Sequence, residues 1–539
     1  MKNLVVFIIL MVSVPCFGAT YYCDLTLSGD GAGTSGDPWQ WSQAEATGNV
    51  SDDDIVNLRG TGGAITLTTN SDANGSAGSP VVYQQWSGQT QAQFTSITID
   101  GTTTPFYTFD GIKIDAGTGT TWVTAFTESW SGTGSGELTF QNCTIWGFRP
   151  TSYSGGDYYP YYIGDSSSTW QNIYAMNFNT VDGLTLVING CTFQHGWRVF
   201  RLTQLTNSTV TITVNTFDRA GEDFINVSGS DNVTMSLNSF SLTSPLSHYY
   251  AVWFWPGAAT GTWAGHEGEA ITQATTNASG LYVGQNGGNI FLVVDDSGNL
   301  PVRTNQQVWS LDSDSSNIFF TPSGNGDNAH NDHISVDGDS DNNTISRNLF
   351  NGSTGSRGQA LKIDNAGIQS AIIQNNIIKQ WNGGTYSLLI NAVNDIDVVN
   401  NVFDVLSNDL HGIRTIAGTD ILIANNILTG AVDSGGTVTS VYNVFKSAAD
   451  PWDGSDNLLS QDIDDSPSGN NRYFTSYTTG DYTPYDGSSP QVDAGSATYA
   501  PADDYVGTSR PQNSTDDIGA YEYIWGNMRG AQCTGCTIQ

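Results

Sequence analysis

The chain has 539 residues and a formal net charge of −35, from 52 acidic against 17 basic side chains. That balance excludes nucleic acid and anionic lipid as electrostatic partners. Gly, Ser, Thr, Asn and Asp are abundant while Lys, Arg and Glu are scarce, which fits a turn-rich all-β chain.

Met1 to about Gly18 reads as a signal peptide, with Lys2 before an apolar run from Leu4 to Val14 and Cys16-Phe17-Gly18 at the cleavage position. The run is too short to span a bilayer, and no other stretch is long enough. The expectation is a secreted protein, extracellular or at the cell surface, with no membrane insertion. Cleavage leaves Cys23, Cys143, Cys191, Cys533 and Cys536.

Strands are expected first at Tyr21-Tyr22-Cys23-Asp24 and at Ile55-Val56-Asn57-Leu58-Arg59. Between them lie a Gly/Asp-rich loop and a short helix near Ala44 that covers the open edge of the first strands. Further strands follow at Ile97-Thr98-Ile99, Phe109 to Ile114 and Leu138 to Ile145. An aromatic excursion then runs from Trp146 to Trp170. Its Tyr153, Tyr158, Tyr159, Tyr161 and Tyr162 either stack on sugar rings or pack back on their own scaffold. Strands resume at Leu186 to Phe193, Thr211 to Phe217 and Thr234 to Phe240.

From Asp332 to Leu428 a phrase repeats roughly every 25 residues, the spacing of a solenoid. Its copies are Thr344-Ile345-Ser346-Arg347-Asn348-Leu349-Phe350, Ile372 to Ile378, Val398 to Phe403 and Leu422 to Leu428. Each holds an apolar residue, an Asn three positions on, and an apolar residue two beyond that. Short strands of this kind cannot bury an inner face alone, but stacked coils can. The Asn suits a tight αL turn whose side-chain amide bonds to the next coil. An antiparallel sandwich with Asn-rich turns is the alternative, but it gives no reason for one Asn at a fixed offset.

This pattern resembles the right-handed parallel β-helix of the pectate-lyase-like superfamily, with its Asn ladder. The resemblance implies an all-β solenoid with a small antiparallel β insertion and an irregular C-terminal cap. It divides the chain into a signal peptide (1–18), an N-terminal cap and first coils (19–245), an inserted β-rich module (246–329), C-terminal coils (330–450) and a cap and tail (451–539). The cap resemblance rests on Ser489-Pro490-Gln491-Val492-Asp493-Ala494-Gly495, on Asp504, Gly507 and Arg510, and on Asp517 to Tyr523. The tail ends in Cys533-Thr534-Gly535-Cys536, read as a local or intermolecular disulfide, with self-association as one consequence. Coil alignment places Cys143 and Cys191 in the Asn column. Neighbours there lie about 5 Å apart, the separation of a disulfide. They are expected to stack directly, as thiols or as a disulfide.

Columns can also be read for chemistry. One strand column places Leu202, Val227, Val336, Ile363 and Ile390 inward, and Arg201, Asn226, Ser335, Lys362 and Leu389 outward. Arg198, Glu222, Asp223, His330, Asp332, His333, Asp337 and Asp364 are expected on the same face. The superfamily's lyases abstract the proton α to a uronate carboxylate with a Lys or Arg base, while calcium or basic groups neutralise the carboxylate. By that resemblance Lys362 is the candidate base and Arg201 the neutraliser, with His330 or His333 as an alternative base. Glycosidases of the fold use carboxylates, and here Asp223 and Asp332 are the candidates. No full motif of either class is present. Asp337-Gly338-Asp339-Ser340-Asp341 alternates carboxylates as short calcium loops do, or is a solvated turn. The expected partner is extracellular polysaccharide; the rival is a non-catalytic, adhesin-like rod.

Overall fold

The structure is a computed structural model. It describes residues 18–524 apart from internal stretches, the longest being 151–173, 242–251 and 295–307. Three long parallel sheets of 13, 11 and 11 strands run along it. Each coil contributes one strand to each sheet, as in Leu184–Asn189, Thr192–Gln194 and Arg198–Thr203, before Thr209–Thr213 returns to the first sheet. This is a parallel β-helix, wound right-handed as crossovers between parallel strands are.

Alternation builds the interior. Leu186, Ile188, Phe193 and Leu202 point inward and are fully buried. Inward phenylalanines of the second sheet stack coil on coil, with ring centres 4.8 Å apart for Phe193 and Phe217 and 4.9 Å for Phe217 and Phe240 and for Phe240 and Phe350.

At the bend between the first and second sheets two neighbouring residues share the work. The first takes the left-handed conformation, as in Asn375, Asn400 and Asn425 (φ 54° to 56°). The second makes the ladder. Asn348 Oδ1 accepts from the backbone N–H and side-chain amide of Asn238, both at 3.0 Å. The same pattern continues through Asn376, Asn401, Asn426 and Asn443. One Asn was expected to do both jobs; in the Asn-Asn pairs they are divided. The column begins at Cys143 and Cys191. Cys191 N–H donates to Asn215 Oδ1 (2.8 Å), and Cys143 N–H points at Cys191 Sγ (3.4 Å). Both cysteines are buried and free, so the expected stacking is found, without a disulfide.

The expected helix is Trp41–Ala44, closed by a capping box between Gln40 and Gln43. A separate seven-stranded antiparallel sheet from Val252–Thr260 to Asp327–Asn328 has its own core of Trp263, Ile271, Tyr282, Trp309 and Phe320. The rod continues in register across it, since Ile225–Ser228 pairs directly with Ile334–Asp337. Both this insertion and the excursion after Trp146 leave the chain between a second-sheet strand and the next third-sheet strand.

The C-terminal segment, 472–524, is irregular apart from Phe474–Ser476 and Asp481–Pro484. Arg510 and Glu522 form a buried ion pair at 3.0 Å. Asp517 accepts backbone N–H groups from Asp493 and Tyr523, and Asp504 from Val506, Thr508 and Glu522. The residues that carry the cap resemblance are therefore the ones that tie the cap together. The signal peptide and the Cys533/Cys536 tail lie outside the described residues. Among those described, no helix is long and apolar enough to cross a membrane.

Candidate functional site on the third sheet

Strand pairing places Arg201, Asn226, Ser335, Lys362, Leu389 and Arg414 side by side on successive coils. Beneath them Leu202, Val227, Val336, Ile363 and Ile390 are fully buried, so the alternate residues face outward. At about 4.8 Å per coil, Lys362 stands about 14 Å from Arg201 and about 10 Å from Arg414 along the rod.

Each cation has a partner. Arg201 Nη1 donates to the Tyr174 hydroxyl at 2.9 Å, and its guanidinium carbon lies 5.2 Å from the centre of that ring. Arg414 sits 4.6 Å over Tyr386 and 3.2 Å from the Asp433 carboxylate. Lys362 Nζ is 3.5 Å from Asp364. Asp364 accepts from Asn391 Nδ2 (2.9 Å), and Asp337 from Asn226 Nδ2 (3.3 Å). Burial opposes the charge on Lys362. The carboxylates of Asp332, Asp364, Asp223 and Asp337 outweigh it and raise the ammonium above its ordinary pKa. Lys362 is therefore held protonated. A proton-abstracting lysine is served by the opposite shift, so these surroundings favour the charged form of Lys362 over the role of base.

Asp223 and Asp332 lie at the corner where the chain enters the third sheet, 3% and 2% exposed. Asp223 is 3.1 Å from Arg198 Nε, and Asp332 Oδ1 accepts the Gln359 N–H at 2.8 Å. Sunk and bonded in this way, they charge and order the face from below. The accessible carboxylates are Asp337 and Asp364, opposite each other on adjacent coils.

His333 does not face outward. It is fully buried, 5.0 Å from Phe224 and 4.9 Å from Trp381, and neither ring nitrogen has a hydrogen-bond partner. Burial drives its pKa down to about 3. A neutral imidazole sealed in an aromatic interior cannot reach a substrate, and the expectation of His333 as an alternative base is withdrawn. His330 and Glu222 lie outside the described residues.

Asp337, Asp339 and Asp341 are not assembled as a ligand set. Asp337 ends its strand bonded to Asn226. Gly338 then turns with φ 68°, and Ser340 Oγ folds back on Asp337 O (2.7 Å). Asp341 follows in the next turn, its N–H on Asp231 of the coil below (2.7 Å). Among the described residues no group of three or more His, Cys, Asp or Glu side chains is placed to hold a metal ion. These three aspartates do not fit calcium.

Arg414 escaped the sequence reading. Its signal was the alignment of Ile413-Arg414-Thr415 with Leu361-Lys362-Ile363, weakened because the Asn phrase fades beyond Leu428.

Fold and site together define a parallel β-helix with a charged, tyrosine-flanked face on its third sheet. No family model and no curated protein matches the chain. Among solved structures it is similar to pectate lyase Pel9A, at 12% identity over 94% of this chain and 96% of that one, TM-score 0.40. XylC in complex with xylose aligns at 10% identity over 94% and 98%, TM-score 0.41. A rhamnogalacturonan lyase aligns at 13% identity over 83% and 90%, TM-score 0.28. These are likenesses of winding; the β-helix itself rests on the sheets described above.

Proposed function

We propose that the protein is a secreted, carbohydrate-active β-helix that takes an extended polysaccharide along the outer face of its third sheet. The supporting observation is the register that lines up Arg201, Lys362 and Arg414 with Asp337 and Asp364 between them. Cations at coil spacings suit an acidic glycan, and Tyr174 and Tyr386 hold the two arginines in place. For the reaction, hydrolysis has more support than β-elimination. The lysine that elimination would use is held charged, while two accessible carboxylates stand one coil apart. That backbone spacing of about 4.8 Å is close to the ~5–5.5 Å between the carboxyl groups of retaining glycosidases. Asp337 and Asp364 are the proposed acid/base and nucleophile pair, with Lys362 as the cation that orients them.

The test is a panel of uronate-containing and neutral polysaccharides, following reducing ends and the absorbance of unsaturated products in parallel. Hydrolysis gives reducing ends alone, and Asp364→Asn lowers the rate by about 10²–10⁴-fold. Rising absorbance would overturn hydrolysis in favour of elimination. Binding that Arg201→Ala weakens, with neither product, would make the protein a glycan-binding rod.

A further inference from the structure

The Asn ladder starts on sulfur. Gln141 pairs with Asn189 and Thr144 with Thr192, so Cys143 and Cys191 occupy the same position of the bend on adjacent coils. Coils in that relation are about 4.8 Å apart, inside the ~4.4–6.8 Å between the Cα atoms of a disulfide. The Cys143 N–H already points at Cys191 Sγ at 3.4 Å. Both sulfurs lie on the inner side of the bend, each 1% exposed, against the carbonyls of Phe109 and Phe140. Neither is needed for the hydrogen bonds of any sheet, and neither serves the third-sheet face.

We propose that Cys143 and Cys191 are an oxidation site: a redox pair that closes a cross-coil disulfide around one full turn of the rod. The turn so closed contains the aromatic excursion after Trp146 and the strand Tyr174–Asn179, whose Tyr174 holds Arg201. The bond therefore fastens the N-terminal end of the candidate glycan face.

The oxidant is a low-molecular-weight disulfide. One cysteine thiolate attacks it, forming a mixed disulfide and releasing one small thiolate. The second cysteine thiolate attacks the protein sulfur of the mixed disulfide, forming the Cys143–Cys191 bond and releasing the other. The two protons lost by the cysteines end on the two small thiols. The protein pair is oxidised by two electrons and the small disulfide is reduced by two. Inside the finished coil the thiols are shielded, and burial raises the Cys143 thiol well above its ordinary pKa. The bond thus forms while this turn is open, during folding, and is afterwards protected from reductants.

The experiment is to refold the mature chain, with Cys533→Ser and Cys536→Ser to remove the tail thiols, in a mixture of reduced and oxidised glutathione. Non-reducing peptide mapping by mass spectrometry then identifies the linkages. The expected result is a Cys143–Cys191 peptide, resistant to dithiothreitol until denaturant is added, and a melting temperature several degrees above that of chain refolded in reductant. Cys143→Ser removes both the linked peptide and the difference between the two refolding conditions. Refolded chain with native circular dichroism and both thiols still open to alkylation after denaturation would overturn the proposal. So would a linked peptide that leaves melting unchanged. Should a variant fail to refold, the same mapping on secreted wild-type chain decides the question.

Discussion

His333 and Ile334 are consecutive, yet both point into the interior. Alternation puts successive side chains on opposite faces of a strand. It fails at the corner, where the turn rotates His333 inward onto Phe224, Phe240 and Trp381. Strict parity set His333 outside for that reason, and no local signal marked the corner. The imidazole stays neutral, with a pKa lowered by burial to about 3 from 6.5. Its contribution to stability is therefore complete above pH 6.5 and is lost as pH falls towards 3. His333→Phe removes that loss. At pH 4 it is expected to retain about 3 kcal/mol more of its neutral-pH stability than wild type, measured by urea unfolding at pH 4 and pH 7. Glu128 has the opposite sign. It faces Ile99 in an inward column, 5% exposed, and burial pushes its carboxyl from 4.5 up to about 7. Protonated it is tolerated; ionised it is a charge in an apolar interior. Its effect is a stability present below about pH 4.5 and lost as pH rises through 7. Glu128→Gln should flatten that decline, gaining about 3 kcal/mol on wild type at pH 8 relative to pH 4.5.

At the scale of elements, the second sheet changes character along its length. Its outward column reads Thr144, Thr192, Thr216 and Ser239, then Leu349, Ile377, Val402, Ile427 and Val444. The aliphatic half is where the C-terminal segment lies, burying Ile377, Val402, Ile427 and Val444 against Tyr473, Phe474, Tyr482 and Ile518. That extent is legible in the residue preceding each inward Phe, Ile or Leu, which turns from Thr or Ser to an aliphatic at Leu349. Asn repeats, inward columns and the antiparallel character of the insertion were legible because each repeats or alternates locally. The environment of Lys362 was not. Its four carboxylates come from three coils, and Asp223 reaches it only because the insertion at 246–329 is looped out between neighbouring coils. The cap is held by Asp404, buried, whose carboxylate accepts the hydroxyls of Tyr477 at 2.6 Å and Tyr482 at 2.5 Å. Asp404→Ala removes the carboxylate that accepts from both hydroxyls and should cost about 2–4 kcal/mol. The cap should loosen before the coils, so limited proteolysis is expected to cut first within 472–524. A first cut in the coils would show that the cap does not depend on this anchor.

At the scale of the whole molecule, the proposed function requires the candidate face to attract an acidic glycan against a net charge of −35. The two effects differ in range. Repulsion by the summed charge acts over the Debye length, about 30 Å at 0.01 M salt and 8 Å at 0.15 M. Attraction by Arg201, Lys362 and Arg414 acts at contact, where bound sugar excludes much of the water and ions. Added salt should therefore first relieve the barrier to approach and only later weaken the bound state. The prediction is an association rate for an oligouronate that rises several-fold between 0.01 and 0.15 M salt, with a smaller change in dissociation rate. A neutral oligosaccharide of equal length should show no such rise. Stopped-flow fluorescence of the aromatic side chains beside the face gives both rates. An association rate that falls with salt would mean that the cations already dominate the field at long range, and that the acidic excess is turned away from this face. A flat response with both ligands would mean that the glycan binds without engaging the cation column, and Arg201→Ala and Arg414→Ala should then leave its affinity unchanged.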